Sequence, residues 1–389
     1  MSAASPDPVY LDHAASTPMR PEAVAALQPY LADLYGNPSG GHRASAKTKT
    51  AIEAARESVA ESLGARPDEI VFTGGGSEGD NLAVKGAAWA GRRHGRDTVV
   101  TTAIEHKAVL GAAHRIEAEG GRVVEVRAGA DGVVDLDRLE TTLDQRVAVV
   151  SVMLVNNETG IVQPLREIAD LVRARSPRAA LHTDAVQAPQ WLDVAATTAD
   201  ADLVAVSGHK FGGPKGVGAL VVRKGTEIVP LIEGGGHEWS LRAGTQNVAG
   251  IVALAAALEV TRTNRVTEVE RIRTLRDALD AGIRARVPSM IVNGDVSRRV
   301  AGILHVAFPG VEAELLLTAL DQRRVCAASG SACSSGAVDP SHVLTGMGLD
   351  RARALASVRF SLGWASTESD IEQAIPIIAD CVERLVTVA

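Results

Sequence analysis

From about residue 70 the chain alternates short runs of β-branched residues with longer stretches whose apolar positions recur every three or four residues. The runs 70–72, 99–102, 123–126, 147–155, 180–183, 203–207 and 218–222 are the strand candidates, and several are apolar on both parities, as strands covered on both faces are. Between them, 106–119, 136–143 and 165–175 carry the helical spacing. The pattern predicts an α/β protein built on a mainly parallel, doubly wound sheet.

After Gly250 the pattern changes. A long helical stretch begins in which Val266, Val269, Ile272, Leu275, Leu279 and Ile283 recur at spacings of three and four. Strands near 290–292, 303–307 and 357–361, with helices over 312–321 and 368–385, predict a smaller α+β domain. The expected division is a large domain over residues 13–260 and a small one formed by 1–12 with 261–389. No internal repeat and no low-complexity linker interrupts this layout.

Composition narrows the function class. The 389 residues are 46% hydrophobic and 22% charged, which excludes a disordered or fibrous chain. Forty Lys and Arg against 47 Asp and Glu give a net charge of −7, with the two signs interleaved. Direct binding to nucleic acid or to an anionic membrane surface is therefore not expected. The most apolar stretch, 248–258, stops at Glu259, short of the roughly 18 residues a membrane span needs. The first eight residues have no basic or apolar leader pattern, so a cytoplasmic location is expected. The three cysteines, Cys326, Cys333 and Cys381, suit neither a disulfide framework nor a zinc site.

Several segments carry candidate chemistry. T-G-G-G-S-E-G-D-N over 73–81 follows a strand and opens a helix, so Gly76 and Ser77 offer backbone amides and a hydroxyl to a phosphate. A glycine turn that merely tightens the corner is the competing reading of this segment. The stretch formally satisfies G-x-G-x-x-G, but Asp97 precedes the next strand instead of ending it, against a dinucleotide site; the missing G-K-[ST] excludes a P-loop. In S-G-H-K-F-G-G-P-K-G over 207–216, Lys210 stands just beyond an apolar strand, where partial desolvation would make its amine a usable nucleophile for a Schiff base. The alternative is a surface lysine in a mobile loop.

In H-T-D-A-V-Q over 182–187, a carboxylate at Asp184 could hold a pyridinium nitrogen protonated and the Gln187 amide could bond a phenolic oxygen. Both are needs of pyridoxal phosphate. A helix N-cap is the competing reading of Asp184. His106 follows another strand, placed to stack on a flat cofactor or shuttle protons, although a lone histidine is often structural. The ten histidines show no metal-ligand spacing, and no metal site is expected. Cys333 lies in A-A-S-G-S-A-C-S-S-G over 327–336, an exposed, small-residue setting in which a thiol can be reactive; Cys326 and Cys381 have the apolar neighbours of packing residues. Arg359, inside the apolar strand S-V-R-F-S, suits bidentate capture of a carboxylate or an edge-strand surface position.

Taken in order, Y-L-D-H-A-A (10–15), G-N-P-S (36–39), the 74–81 turn, E-H-K-A-V (105–109), V-N-N-E-T-G (155–160), the 182–187 and 207–216 segments, G-G-G-H-E (234–238), R-A-G-T (242–245), S-G-S-A-C-S (329–334) and R-F-S-L-G (359–363) resemble the pyridoxal-phosphate-dependent cysteine desulfurases of the NifS/IscS type. The resemblance spans nearly the whole chain, and the S-G-S-A-C loop is similar to the first group of that family. It implies a fold-type I transferase that converts L-cysteine to L-alanine and passes the sulfur to Cys333 as a persulfide.

The resemblance also implies roles. Lys210 holds the cofactor as a Schiff base, His106 stacks on its ring, Asp184 meets the ring nitrogen and Gln187 the phenolic oxygen. Ser77, Ser207, His209 and the backbone at Gly76 bind the phosphate, with Thr245 arriving from the second subunit of a homodimer. Asn157, Asn37 and Arg359 position the substrate, Arg359 taking its carboxylate and Asn157 also contacting the cofactor. Persulfide sulfur passes to an acceptor protein serving iron–sulfur assembly, tRNA thiolation or DNA phosphorothioation. The chain departs from the family pattern at Ser77 and Gly79, where Thr and Ser are usual. It also ends at Ala389 without the extra tail by which IscS-like members dock a scaffold, so docking in that manner is not expected.

Competing readings are a selenocysteine lyase or aminotransferase of the same fold, a dinucleotide-dependent oxidoreductase using 74–79, and a non-catalytic sulfur-relay subunit. Cys333 opposes the aminotransferase, and the oxidoreductase leaves Lys210 and Cys333 without a role.

Overall fold

A computed structural model describes residues 8–330, 332–334 and 337–388, apart from the side chains of 332–334, 337–338 and 387–388. The chain begins with β1 (Val9–Tyr10), then α1 (Pro21–Leu27), opened by a proline whose missing N–H costs nothing at a first turn, and α2 (Arg43–Ser62). β2 (Ile70–Thr73) runs into α3 (Gly76–Arg92). Four strand–helix units follow: β3 (Thr98–Thr102) with α4 (Lys107–Ala118), β4 (Arg122–Val126) with α5 (Leu136–Thr142), β5 (Val147–Ser151) with α6 (Leu165–Arg175), and β6 (Ala180–Asp184) with α7 (Val194–Thr197). β7 (Leu203–Ser207) and β8 (Gly218–Val222) complete the set.

These seven strands, β2 to β8, form one sheet in the order β2-β8-β7-β6-β5-β3-β4, in which only β8 runs antiparallel to its neighbours. Every residue of β2, β3, β5, β7 and β8 is buried, which is why their sequences are apolar on both parities. β4, at the edge, keeps Arg122 and Glu125 in solvent. The strand expected over 147–155 closes at Ser151; beyond it the amides of Val152 and Leu154 still bond the carbonyls of His182 and Asp184 while the chain bends into the site.

α8 (Val248–Arg286) is one unbroken helix of 39 residues that passes through residue 260. Its first third is buried nearly all round, against α1 and α2; its last third buries the stripe Ile272, Leu275, Leu279 and Ile283 and meets α12 (Glu368–Val388). Between these contacts Val266 is 82% exposed, so its helical spacing did not translate into burial: among the described residues no element covers that face.

β9 (Ile291–Val292), β10 (Ile303–Ala307) and β14 (Ser357–Ser361) make a three-stranded antiparallel sheet. α9 (Ala313–Gln322) packs on β14, α10 (His342–Gly346) and α11 (Arg351–Leu355) pack on each other, β11 (Val325–Cys326) pairs with β1, and β12 (Ala332–Ser334) pairs with β13 (Ala337–Asp339). Cys381 is buried in the core under α12, whereas Cys326, expected to be a buried packing residue, is half-buried on β11, where β1 covers one side only. Among the described residues no helix is long and apolar enough to cross a membrane.

Candidate active site

Parallel strands deliver their carboxyl ends to one edge of a sheet, and ligands of open α/β sheets bind outside that edge. β3, β5, β6 and β7 lead there into His106, Asn157, Asp184 and Lys210. A cavity of about 410 Å³ opens between these ends, the first turn of α3 and Arg359 on β14. Ten residues singled out from sequence line it together: Gly76, Ser77, His106, Asn157, Asp184, Gln187, Ser207, His209, Lys210 and Arg359.

Lys210 closes a single 3-10 turn that follows β7, and its Nζ donates to the carbonyls of Ala14 (2.7 Å) and Ala15 (2.9 Å). Burial pushes this ammonium down to about 8, Arg359 adds to the fall, and Asp184 and Asp12 oppose it. A lysine near 8 is a neutral amine for much of the time at mildly alkaline pH, which is what a nucleophile toward an aldehyde requires.

Asp184 ends β6 with Oδ1 accepting the Val186 N–H at 2.9 Å. Burial raises its carboxyl above the ordinary range, with His106 and Lys210 pulling the other way. Asp80, one turn into α3, lies within 4.8 Å of it, and its carboxyl is raised well above the ordinary range by the same dehydration and by the neighbouring Asp184 charge. Behind them His182, its Nδ1 2.8 Å from the Ser151 hydroxyl, is held near 3 by burial and stays neutral. Two dehydrated carboxyls side by side are costly, so this pocket favours a ligand that brings a positive charge.

His106 caps α4, its Nδ1 accepting the Ala108 N–H at 3.1 Å. That bond leaves the proton of the neutral ring on Nε2 and restrains the ring where it lines the cavity. Beneath it the buried Glu105 accepts from Thr102 (2.7 Å) and from the Met153 N–H (2.8 Å), tying the end of β3 to the bend after β5. Burial pushes the Glu105 carboxyl up to about 8.

An adjoining cavity of about 360 Å³ is lined by Gly74, Gly75, Gly76 and Ser77 together with Ser207, His209 and Lys215. Gly75 has φ +143°, and a Cβ on Gly76 would stand 2.7 Å from Val186 Cγ2, so no larger residue fits where α3 begins. Helix-terminal N–H groups and two hydroxyls facing an open space make an anion cradle. Glu78 lines the same cavity, accepting the Gly74 N–H at 2.8 Å, and Arg242 pairs with its carboxylate at 2.9 Å.

Arg359 donates from Nη1 to the Asn157 carbonyl and from Nη2 to Asp12 Oδ1, each at 2.7 Å, while its Nε and the side-chain Oδ1 of Asn157 are buried without a partner. Asn37 is exposed outside the cavity, its Oδ1 accepting the Ser39 N–H, and Thr245 is exposed on a loop outside it as well. The side chain of Cys333 lies outside the described residues. Upstream of it, Gly330 packs closely on Glu158: a Cβ there would fall 1.8 Å from Glu158 Oε2, the atom that accepts the Ser341 hydroxyl at 2.6 Å.

Sequence reasoning gave no role to Ala14, Ala15, Asp80, Met153 and Val186, which also line the cavity. Ala14 and Ala15 belong to the Y-L-D-H-A-A segment, which marked them without assigning chemistry, and Asp80 closes the glycine turn. Met153 and Val186 left no signal, because an apolar residue at a strand end reads as core.

The residues fit pyridoxal phosphate. A desolvated lysine, a carboxyl pocket that prefers a cationic ring nitrogen, a histidine plane and an anion cradle stand around one space, with the orphaned Asn157 Oδ1 pointing to a ligand atom not supplied by the protein.

The sequence pattern of the aminotransferase class-V family matches residues 9–374. A curated cysteine desulfurase of Trichormus azollae is 42% identical over 379 residues, which cover 97% of this chain and 93% of that protein. A solved NifS-like protein superposes with a TM-score of 0.91 at 32% identity over 97% of this chain and 100% of that one. DndA from Streptomyces lividans superposes with a TM-score of 0.77 at 37% identity, covering 90% and 99%.

Proposed function

The chain belongs to the aminotransferase class-V family and is a pyridoxal-phosphate-dependent cysteine desulfurase of fold type I, and from that premise we propose how its residues divide the work. The reaction takes L-cysteine and a protein thiol to L-alanine and a persulfide, for delivery to a sulfur acceptor. The observation that carries the residue assignment is the convergence of Lys210, Asp184, the Gly76–Ser77 cradle and Arg359 on one cavity.

Bound pyridoxal phosphate supplies an electron sink for the pair released when the substrate Cα–H bond breaks, and this makes the substrate sulfur electrophilic. Lys210, kept partly as the free amine, is the residue that holds the aldehyde and later carries the Cα proton. Asp184 keeps a proton on the ring nitrogen, since its pocket penalises a lone carboxylate and is relieved by a cation. The Gln187 amide, anchored on the Ala14 carbonyl at 2.8 Å, faces the phenolic oxygen. His106 covers the ring face. Ser77, Ser207, His209 and the Gly76 backbone hold the phosphate, and Thr245 reaches a neighbouring subunit's cradle in a homodimer.

Arg359 receives the substrate carboxylate and Asn157 and Asn37 complete substrate placement. Cys333 attacks the sulfur: an S–S bond forms, the Cβ–S bond breaks, and protonation of the carbon product releases alanine. The chain divides into a large domain over 13–260 and a small domain of 1–12 with 261–389 that presents Cys333. We place the protein in the cytoplasm, where an acceptor protein serving iron–sulfur assembly, tRNA thiolation or DNA phosphorothioation takes the sulfur.

The experiment is alanine release from L-cysteine by the purified protein with pyridoxal phosphate and a thiol reductant. Equal amounts of alanine and sulfide are expected. In Cys333→Ala the cofactor should stay bound while alanine release stops; continued release would remove Cys333 from the mechanism.

A further inference from the structure

Asp12 lies in the Y-L-D-H-A-A segment, which the function above leaves without a role. Its carboxylate accepts from Arg359 Nη2 at 2.7 Å, with only 21% of the Asp12 side chain and 9% of the Arg359 side chain exposed. The other terminal nitrogen of Arg359 is fixed by the Asn157 carbonyl. A guanidinium held at both terminal nitrogens has a set plane, and its remaining N–H groups stay free for a ligand.

The backbone around Asp12 makes this grip rigid. The Ser361 N–H donates to the Leu11 carbonyl at 2.7 Å, the Ala14 N–H reaches Ser361 Oγ at 2.9 Å, and the His13 N–H bonds the Ser361 carbonyl. Ser361 stands two residues beyond Arg359 on the same strand, so this zipper sets Asp12 beside the guanidinium. The same segment then turns, with the Ala15 N–H on the Asp12 carbonyl, and offers the Ala14 and Ala15 carbonyls to Lys210. One short stretch of chain thus fixes both cations that face the cavity.

Resting on the reading of Arg359 as the carboxylate anchor, we propose that Asp12 is a positioning residue for substrate: through its charge-assisted bond it holds Arg359 in the orientation that receives the L-cysteine carboxylate, and it also sets the grip on the product carboxylate of alanine. Without Asp12 the guanidinium keeps its charge but loses one of its two restraints, so binding suffers more than chemistry.

The test uses holoenzyme of Asp12→Ala, Asp12→Asn, Arg359→Ala and the double variant Asp12→Ala/Arg359→Ala. Steady-state KM and kcat for L-cysteine are measured, together with the dissociation constant of L-alanine from the change it makes in the visible band of the bound cofactor. Asp12→Ala should raise KM and the alanine constant about tenfold while kcat falls less than threefold, and Asp12→Asn, which keeps a neutral acceptor, should recover part of the loss. In the Arg359→Ala background the Asp12 change should add nothing, because a residue that acts through another is silent once that other is gone.

Unchanged binding in both Asp12 variants, with Arg359→Ala impaired, overturns the role of Asp12 and leaves the Arg359 assignment standing. Unchanged binding in Arg359→Ala overturns the anchor itself. An added loss in the double variant shows that Asp12 acts on something other than Arg359. Should Asp12→Ala not fold, the isosteric Asp12→Asn on its own and in the Arg359→Ala background supplies the same comparison.

Discussion

At the amino edge of the seven-stranded sheet lies a cavity of about 580 Å³ bordered by Arg96, Arg173, Lys224 and Asp202; at the carboxyl edge lies the one of about 410 Å³ that holds Lys210 and Asp184. The first is larger and richer in charge. Two of its ion pairs lie in the open, Arg173 with Asp202 at 2.8 Å with 43% and 23% of the side chains exposed and His94 with Glu227 at 3.1 Å, although Arg96 Nε is buried without a partner. At the carboxyl edge the ionisable groups are dehydrated and pushed off their ordinary values, and the polar atoms Asp80 Oδ1 and Asn157 Oδ1 are left without partners. Size and charge do not separate a reactive cleft from a decorated surface; a cluster of dehydrated ionisable groups displaced from their ordinary values does, because a ligand can relieve that cost.

That contrast can be broken in several ways, beginning with the largest effect. Lys210→Ala should abolish the covalent attachment of the cofactor and lower turnover by more than about 10³-fold, read as loss of the visible absorption band and of alanine release. Asp184→Asn removes the charge that meets the ring nitrogen; a loss in kcat on the order of 10²-fold with weaker cofactor retention is expected, and kinetics within threefold of the parent would remove Asp184 from the site.

A pH series sharpens the comparison. Because burial lowers Lys210 to about 8, the neutral amine predominates above that pH and falls tenfold per unit below it. The bimolecular rate of pyridoxal phosphate capture by cofactor-free protein should therefore climb by about tenfold per unit from pH 6 and level off near 8, as stopped-flow absorbance would show. A plateau reached only near 10.5 would mean that the lysine is not desolvated. At the other edge, Arg173→Ala should change kcat less than twofold and cost no more than about 1 kcal/mol in denaturant unfolding, the usual worth of an exposed ion pair.

Much of this was legible in the residues. Strands buried on both faces read as apolar runs, so the six runs after residue 98 coincide with β3 to β8 to within a residue or two, except where β5 stops at Ser151. Lys210, Asp184 and His106 were marked because each follows such a run. Val266 misled, since periodicity reports a face that could be covered and not whether an element arrives to cover it. Cys326 misled similarly, as its neighbours are apolar but its strand is paired on one side only. Ala14, Ala15 and Asp80 could not be seen as lining, because a carbonyl's direction and a carboxyl's dehydration are properties of the assembled site.

The sequence by itself determined the alternation of strand and helix, the carboxyl-end placement of the reactive residues and, through its ordered motifs, the family and its cofactor. Those are local properties: hydrophobic period, turn chemistry and the residue types at strand ends need no partner to be read. Only the tertiary structure decided that β8 is the one reversed strand, that a lysine is brought near 8 and a carboxyl above its ordinary range, and that Asp12 meets Arg359 across 347 positions of chain. Pairing direction, dehydration and long-range contact arise when distant segments exclude water together, and no window of sequence contains both sides of such a contact.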